Sequence, residues 1–246
     1  CEITTPSSIT ADEARMRLVQ VMGALAADAG MPGALVPAAA VLSCVVPALE
    51  RPWKAALSRT CTGRVLTVGP GLKTGMPVHY DDPAEIGPDR IADAVAARAV
   101  YGSPCIVIDL GTTTNIEVID AHGTFVGGVI APGLALGARS LSAAAARLPQ
   151  VEPSAPTHVI GRNTREAMRS GVVLGEVARI DGMLDMVLAE MRATKAAGEG
   201  DVPIVITGDD AEALAALVGH SLTVDDALTL RGLAELYHIN QKPRRA

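Results

Sequence analysis

The sequence predicts a mixed α/β fold with two sheets, divided near residue 102. Three observations carry that reading. Apolar runs of strand length alternate with segments of helical periodicity along the chain. Cys105–Asp109, Asn115–Ile119 and Thr124–Ile130 read as three successive strands, the last two joined through an Asp120-Ala121-His122-Gly123 turn. Finally, 246 residues of which 49% are apolar can bury a sizeable core.

The elements follow in chain order. Thr10-Ala11-Asp12-Glu13 is a capping box, and Leu18, Val21, Met22 and Leu25 mark one face of a helix ending at Gly30. Ala38–Val46 is a continuous apolar run stopped by Pro47, which predicts a strand covered on both faces. Leu49, Trp53 and Leu57 give a short amphipathic helix, and Val65–Val68 a small strand. Gly69–Pro83 is rich in Gly and Pro and reads as loop. Pro88 suits the first turn of a helix that runs to Gly102.

In the second half, Cys105–Asp109 has the unbroken apolar character of a buried strand, and Pro132-Gly133 ends the sheet segment it begins. An Ala/Leu-rich helix runs to about Arg147, followed by a connector spaced by Pro149, Pro153 and Pro156. Thr164 to about Thr194 predicts a long helix, in which Gly171-x-x-x-Gly175 permits close packing. Pro203–Ile206 reads as a strand, and two short helices near Asp210–Val218 and Thr229–His238 complete the pattern. The tail Lys242-Pro243-Arg244-Arg245-Ala246 is expected to be disordered. No internal repeat and no low-complexity segment occurs.

Composition excludes several functions. Twenty-seven acids against twenty-one bases leave a net charge of −6, which disfavours a nucleic-acid binder. Five aromatic residues (Trp53, Tyr80, Tyr101, Phe125 and Tyr237) supply few stacking platforms. No apolar run reaches the roughly 18 residues of a membrane span. The scattered histidines argue against zinc, and Cys1, Cys44, Cys61 and Cys105 lack paired metal spacing. Three of these thiols sit in apolar sequence and are expected to be buried in a reducing cytosol. Residue 1 is Cys, and cropping of a longer chain is the expectation.

Four segments carry candidate chemistry. Ile106-Val107-Ile108-Asp109-Leu110-Gly111-Thr112-Thr113-Thr114 ends a strand in an acid, then Gly and three hydroxyls. Exposed N–H groups and Thr hydroxyls donate to phosphate, while the acid holds a cation. An ordinary hairpin of strand-forming Thr is the competing explanation. Acid-Gly-Thr hairpins of this sort occur in the actin/hexokinase-like phosphotransferases. Tyr80-Asp81-Asp82-Pro83 precedes Gly87-Pro88-Asp89-Arg90, where Asp89 in the first helical turn faces the positive end of the dipole. A carboxylate there can accept a proton from a substrate hydroxyl, and Arg90 can bind an anion. Helix capping with a charge pair on a solvated surface is the alternative. Gly161-Arg162-Asn163-Thr164 places polar groups before the long helix, where they also serve as a cap. Gly127-Gly128-Val129-Ile130-Ala131-Pro132-Gly133 exposes bare backbone against which a flat ring can lie, or packs tightly at a strand exit. By contrast, Gly69-Pro70-Gly71-Leu72-Lys73-Thr74-Gly75 lacks the spacing of a Walker phosphate loop and opens no helix.

In order and spacing these segments resemble the type III pantothenate kinases. The resembling blocks are Ser43–Pro47, Val68–Gly75, Gly87–Arg90, Asp109–Thr114, Gly127–Gly133, Ile160–Met168 and Leu228–Leu233, spread from about Thr4 to Tyr237. The resemblance implies an α/β fold of two ribonuclease-H-like (actin/hexokinase-type) domains, residues 1–102 and 103–246, the first lacking its opening strands. It implies a cytoplasmic homodimer through the second domain. The activity implied is ATP-dependent phosphorylation of pantothenate, the first step of coenzyme A biosynthesis, with Mg²⁺ and a monovalent cation (K⁺ or NH₄⁺). By matching positions, Asp89 is the proton acceptor, and Tyr80, Gly87, Pro88, Arg90 and Thr164 contact pantothenate, Thr164 reaching across the dimer. Asp109 is the monovalent-cation ligand, and Gly111 and Thr112 contact ATP. No nucleic acid or membrane partner is implied.

Four features depart from the family pattern. The Asp-x-Gly-Asn-Thr strand that usually opens these proteins is not matched. Thr113-Thr114-Asn115 stands where Ala-Thr-Thr is common, Asp93 where Asn is usual, and Thr207-Gly208-Asp209 where Thr-Gly-Gly is usual. ATP binding by the 246 residues as written is therefore expected to be weak or nil. A non-catalytic paralogue acting as a binding or regulatory protein is the alternative from another class, and another acid- or sugar-phosphorylating kinase a third. Codons upstream of Cys1 discriminate the first two.

Overall fold

The structure is a computed structural model describing residues 1–33 and 35–241. The expectation for Lys242–Ala246 falls outside those residues. The fold is α/β, and its centre is a mixed five-stranded sheet. β3 (Cys105–Leu110), β4 (Thr113–Ile119) and β5 (Phe125–Pro132) form an antiparallel meander. β6 (Ile204–Gly208) and β7 (Thr223–Val224) add parallel strands beyond β3, giving the order β5-β4-β3-β6-β7. That is the ribonuclease-H-like order.

Alternation along these strands builds two cores. Ile106, Ile108, Leu110, Ile116 and Val118 face the long helical run, where Val177, Ile180 and Leu184 meet them. Cys105, Val107, Ile119, Phe125 and Val205 face α3 (Pro88–Tyr101) and α8 (Leu228–Ile239). Burying one such Leu or Ile contributes about 1.5–3 kcal/mol. The second core also takes in Val68, Met76 and Ile86, so it spans residue 102. α3 begins at Pro88 and stops at Gly102, whose φ of 84° belongs to glycine. α8 crosses α3 so closely that a Cβ on Gly232 would stand 1.9 Å from the Ala92 carbonyl oxygen.

The long helical run has an interruption that periodicity does not reveal. α5 (Thr164–Arg169) and α6 (Gly175–Ala193) are joined by a π turn over Ser170–Leu174. Among the described residues, nothing lies within 4 Å of where a Cβ on Gly171 or Gly175 would stand. α4 (Leu134–Ala144) precedes this run, and α7 (Ala211–Ala215) follows β6.

The first hundred residues are thinner than expected. α1 (Ala11–Asp28) carries the Thr10/Glu13 capping box, but Leu25 is exposed, and the buried side chains are Ala14 and Ala26. α2 (Pro47–Thr60) buries Leu49 and Ala56. β1 is only Ala40–Leu42 and pairs in parallel with β2 (Val65–Thr67) alone. The strand expected to be covered on both faces is therefore short and half-buried, because it has one neighbour. The same lack of cover corrects the cysteine expectation. Cys105 is buried, whereas Cys44 and Cys61 are half-buried and Cys1 is exposed.

Candidate active site

Asp89 and Asp109 reach one place from different elements. Asp89 is the second residue of α3, and its Oδ1 accepts the Arg90 backbone N–H at 2.8 Å. Gly87 makes this possible, since a Cβ there would stand 2.4 Å from that same oxygen. Asp109 lies near the end of β3, opposite Asn115 on one side and Thr207 on the other. Burial, then the charge of Asp89, pushes its carboxyl up to about 6, with Asp209 adding to the effect and Asn115 opposing it. The charges of Asp89 and Asp209 thus both act on the Asp109 carboxyl.

Arg90 does not lie on a solvated surface. It is 4% exposed, and its Nε donates to Glu117 Oε1 at 2.9 Å, with Glu117 fully buried in β4. Its guanidinium lies 5.6 Å from the centroid of Phe125, and its Nη2 has no hydrogen-bond partner. Tyr80 packs beside Phe125, with 6.0 Å between the two ring centres. Two glycines on β5 make room. Gly128 leaves space for Arg90, since a Cβ would sit 2.9 Å from Nη2 and 1.8 Å from the Ile116 carbonyl oxygen. Gly127, at φ 123°, has the Tyr80 ring beside it. Tight packing is therefore what these two glycines serve within the fold.

Glu117 and Phe125 escape the sequence reading. The available signal is an acid two residues after Asn115 and flanked by Ile116 and Val118, which puts Glu117 and Asn115 on one face with Asp109. Asp93 completes the buried polar group. It is 0% exposed, and burial, then the charge of Asp109, pushes its carboxyl up to about 8 against the pull of the Thr229 hydroxyl. Burial likewise holds Glu117 well above the usual carboxylate range, against the pull of Arg90.

The Gly111-Thr112 tip joins β3 to β4 and leaves the Thr112 side chain exposed. Beside it, β6 turns through Gly208, at φ 90°, and the Asp209 N–H donates to the Leu110 carbonyl at 2.6 Å. A cleft of 520 Å³ next to this turn is lined by Gly208, Asp210, Ala211, Glu212, Ala213 and Asp226. Thr164 is exposed at the start of α5, where Asn163 caps the helix by accepting the Glu166 N–H at 3.0 Å. Among the described residues Thr164 makes no hydrogen bond to the Asp89–Arg90 group. Tyr80, Gly87, Pro88, Asp89, Arg90 and Asp109 are thus brought together around α3 and the β3–β5 meander, and Thr164 is not.

No three His, Cys, Asp or Glu side chains among the described residues form a ready metal cage. The mutually repelling carboxylates nevertheless fit a cation that completes its shell with water and phosphate, as Mg²⁺ commonly does. No helix among these residues is long and apolar enough to cross a membrane.

Comparison with known proteins agrees with the resemblance read from the sequence. The type III pantothenate kinase family model matches residues 1–186. A type III pantothenate kinase of Koribacter versatilis is 42% identical over 205 residues, covering 83% of this chain and 72% of its own. One from Nocardia farcinica is 40% identical over 252 residues, covering 99% and 88%. Type III pantothenate kinase 2 of Symbiobacterium thermophilum is 39% identical over 242 residues, covering 97% and 87%.

Proposed function

The chain belongs to the type III pantothenate kinase family, and from that premise we propose that it phosphorylates pantothenate with ATP, giving 4′-phosphopantothenate for coenzyme A biosynthesis. The observation that carries the proposal is Asp89 at a helix start beside Asp109 at a strand end, with Arg90 locked behind them. Asp89 accepts the proton of the substrate hydroxyl as that oxygen bonds to the γ-phosphorus. The bond between that phosphorus and the β–γ bridging oxygen breaks, and ADP leaves with the electron pair. Phosphoryl transfer asks chiefly for alignment and charge neutralisation, which is what this site supplies.

Each remaining residue has a part in the proposal. Gly87 and Pro88 fix the direction of Asp89, and Tyr80 with Arg90 forms the wall against which pantothenate lies. Gly111 and Thr112 meet the phosphates. Asp109 holds the monovalent cation, and bound cations, Mg²⁺ included, offset charge on the transferring group. Two ribonuclease-H-like domains, 1–102 and 103–246, remain part of the proposal, with α3 of the first packed into the core of the second. Thr164 joins the site from a second copy, and the protein works in the cytoplasm. Exposed Ile130, Val159, Ile160 and Met186, with the open Gly171/Gly175 face, support a homodimer through the second domain.

Calorimetric titration of pantothenate into the protein tests the assignment. Saturable one-to-one binding that Tyr80→Ala weakens about tenfold or more supports it. Absence of pantothenate binding, or phosphorylation of a sugar in its place, overturns it.

A further inference from the structure

On the sheet face opposite Asp109, a closed chain of contacts surrounds the tip of the β3–β4 hairpin. Thr114 Oγ1 donates to Glu176 Oε1 at 2.6 Å, and both residues are buried. Arg179, one turn further along α6, donates through Nη2 to Glu176 Oε2 and to the Pro132 carbonyl oxygen, the latter at 2.5 Å. Pro132 ends β5 and lies opposite Thr113 in the ladder. The next residue, Gly133, donates its N–H to the Thr112 carbonyl at 3.0 Å. Gly133 also presses on the tip, since a Cβ there would stand 2.2 Å from the Gly111 carbonyl oxygen and 2.8 Å from that of Thr112. The circuit runs from Thr112 through Gly133, Pro132, Arg179 and Glu176 to Thr114, two residues from where it began.

We propose that Glu176 and Arg179 are positioning residues that hold the Gly111–Thr112 tip where it meets the phosphates of the nucleotide; this rests on the reading of that tip given above. Stability alone gives no reason for the pair. Glu176 is buried and Arg179 half-buried, and an ion pair with a buried member is often matched or bettered by apolar side chains of similar volume. What an apolar pair cannot do is reach a hydroxyl on β4 and a carbonyl at the end of β5 from one helical turn. The guanidinium Nη2 of Arg179 carries two N–H groups in fixed directions, one for Glu176 Oε2 and one for the Pro132 carbonyl. The Glu176 carboxylate meanwhile offers one oxygen to the sheet and the other to Arg179. The tip then has two rigid supports and its exposed hydroxyl needs little ordering when a phosphate arrives.

The test uses the full-length product of the encoding gene, with Glu176→Gln, Arg179→Lys and Thr112→Val measured together. Glu176→Gln retains an acceptor for Thr114 and nearly the same shape, so folding is preserved. The expected result is an ATP KM raised about tenfold in Glu176→Gln and Arg179→Lys, with pantothenate KM within about twofold of wild type. Amide hydrogen exchange over residues 110–114 should speed up about tenfold or more in both variants, with the β6 amides unchanged. Unchanged tip exchange, or a drop in kcat with ATP KM unmoved, overturns the positioning role. If Thr112→Val raises ATP KM and the α6 variants do not, the positioning role falls and the reading of the tip stands. If Thr112→Val leaves ATP KM unchanged, the reading of the tip falls, and the proposed positioning for nucleotide falls with it.

Discussion

Arg90 and Glu117 form an ion pair at 2.9 Å in which neither side chain is more than 5% exposed. This pair joins the start of α3 to the middle of β4. Asp89 is the residue before Arg90, so the pair also fixes the direction from which the proposed base approaches its substrate. A buried charge that loses its hydrogen-bonded partner is costly.

Glu117→Ala is therefore expected to destabilise the protein by about 3–5 kcal/mol. Glu117→Gln keeps an acceptor for Arg90 Nε and should lose less. Denaturant unfolding of the two variants checks this. Equal, small losses in both would mean that the pair contributes no more than packing.

Asp93 gives a pH prediction. Its folded carboxyl lies near 8 against an ordinary 3.8, so between those values the folded protein holds a proton that the unfolded chain has released. The stability from this group is complete below about pH 4, falls as pH rises, and levels off above about 8. A side-chain amide in its place does not titrate and carries no such slope. Asp93→Asn should therefore match wild type near pH 4 and exceed its melting temperature by about 10 °C or more at pH 8. A gap that stays constant with pH would show that Asp93 does not titrate in that range.

Assembly is checked by light scattering at micromolar concentration. An isologous dimer predicts about twice the 25.3 kDa mass of the chain. Charges placed at the exposed Ile160 and Met186, as Ile160→Glu with Met186→Glu, should return it to one copy. They should also remove whatever Thr164 contributes to pantothenate binding. A wild-type monomer would remove both claims.

Local rules make much of the fold legible in the sequence. The Thr10/Glu13 box, Pro88 and Gly102 around α3, and the apolar β3 ahead of a hairpin are each set by neighbours in sequence. The candidate residues on α3 and on the β3–β5 meander are legible for the same reason, since each sits at an element's end. What escapes depends on contacts between elements far apart in the chain. Nothing near Glu117 tells which helix faces it, and Thr114 meets Glu176 across 62 positions. β7 is two residues long, and the π turn at Ser170–Leu174 leaves the helical pattern almost unchanged. β1 falls short because an apolar run states a wish for neighbours without supplying them.

The most direct measurement of the central claim is steady-state formation of 4′-phosphopantothenate by the full-length gene product and its Asp89→Asn variant. The amide has almost the shape of the carboxylate and cannot take the hydroxyl proton. If Asp89 is the proton acceptor, kcat falls at least about 10²-fold, with pantothenate affinity changed far less. Normal turnover in the variant would contradict that role and leave Asp89 as a helix-start residue only.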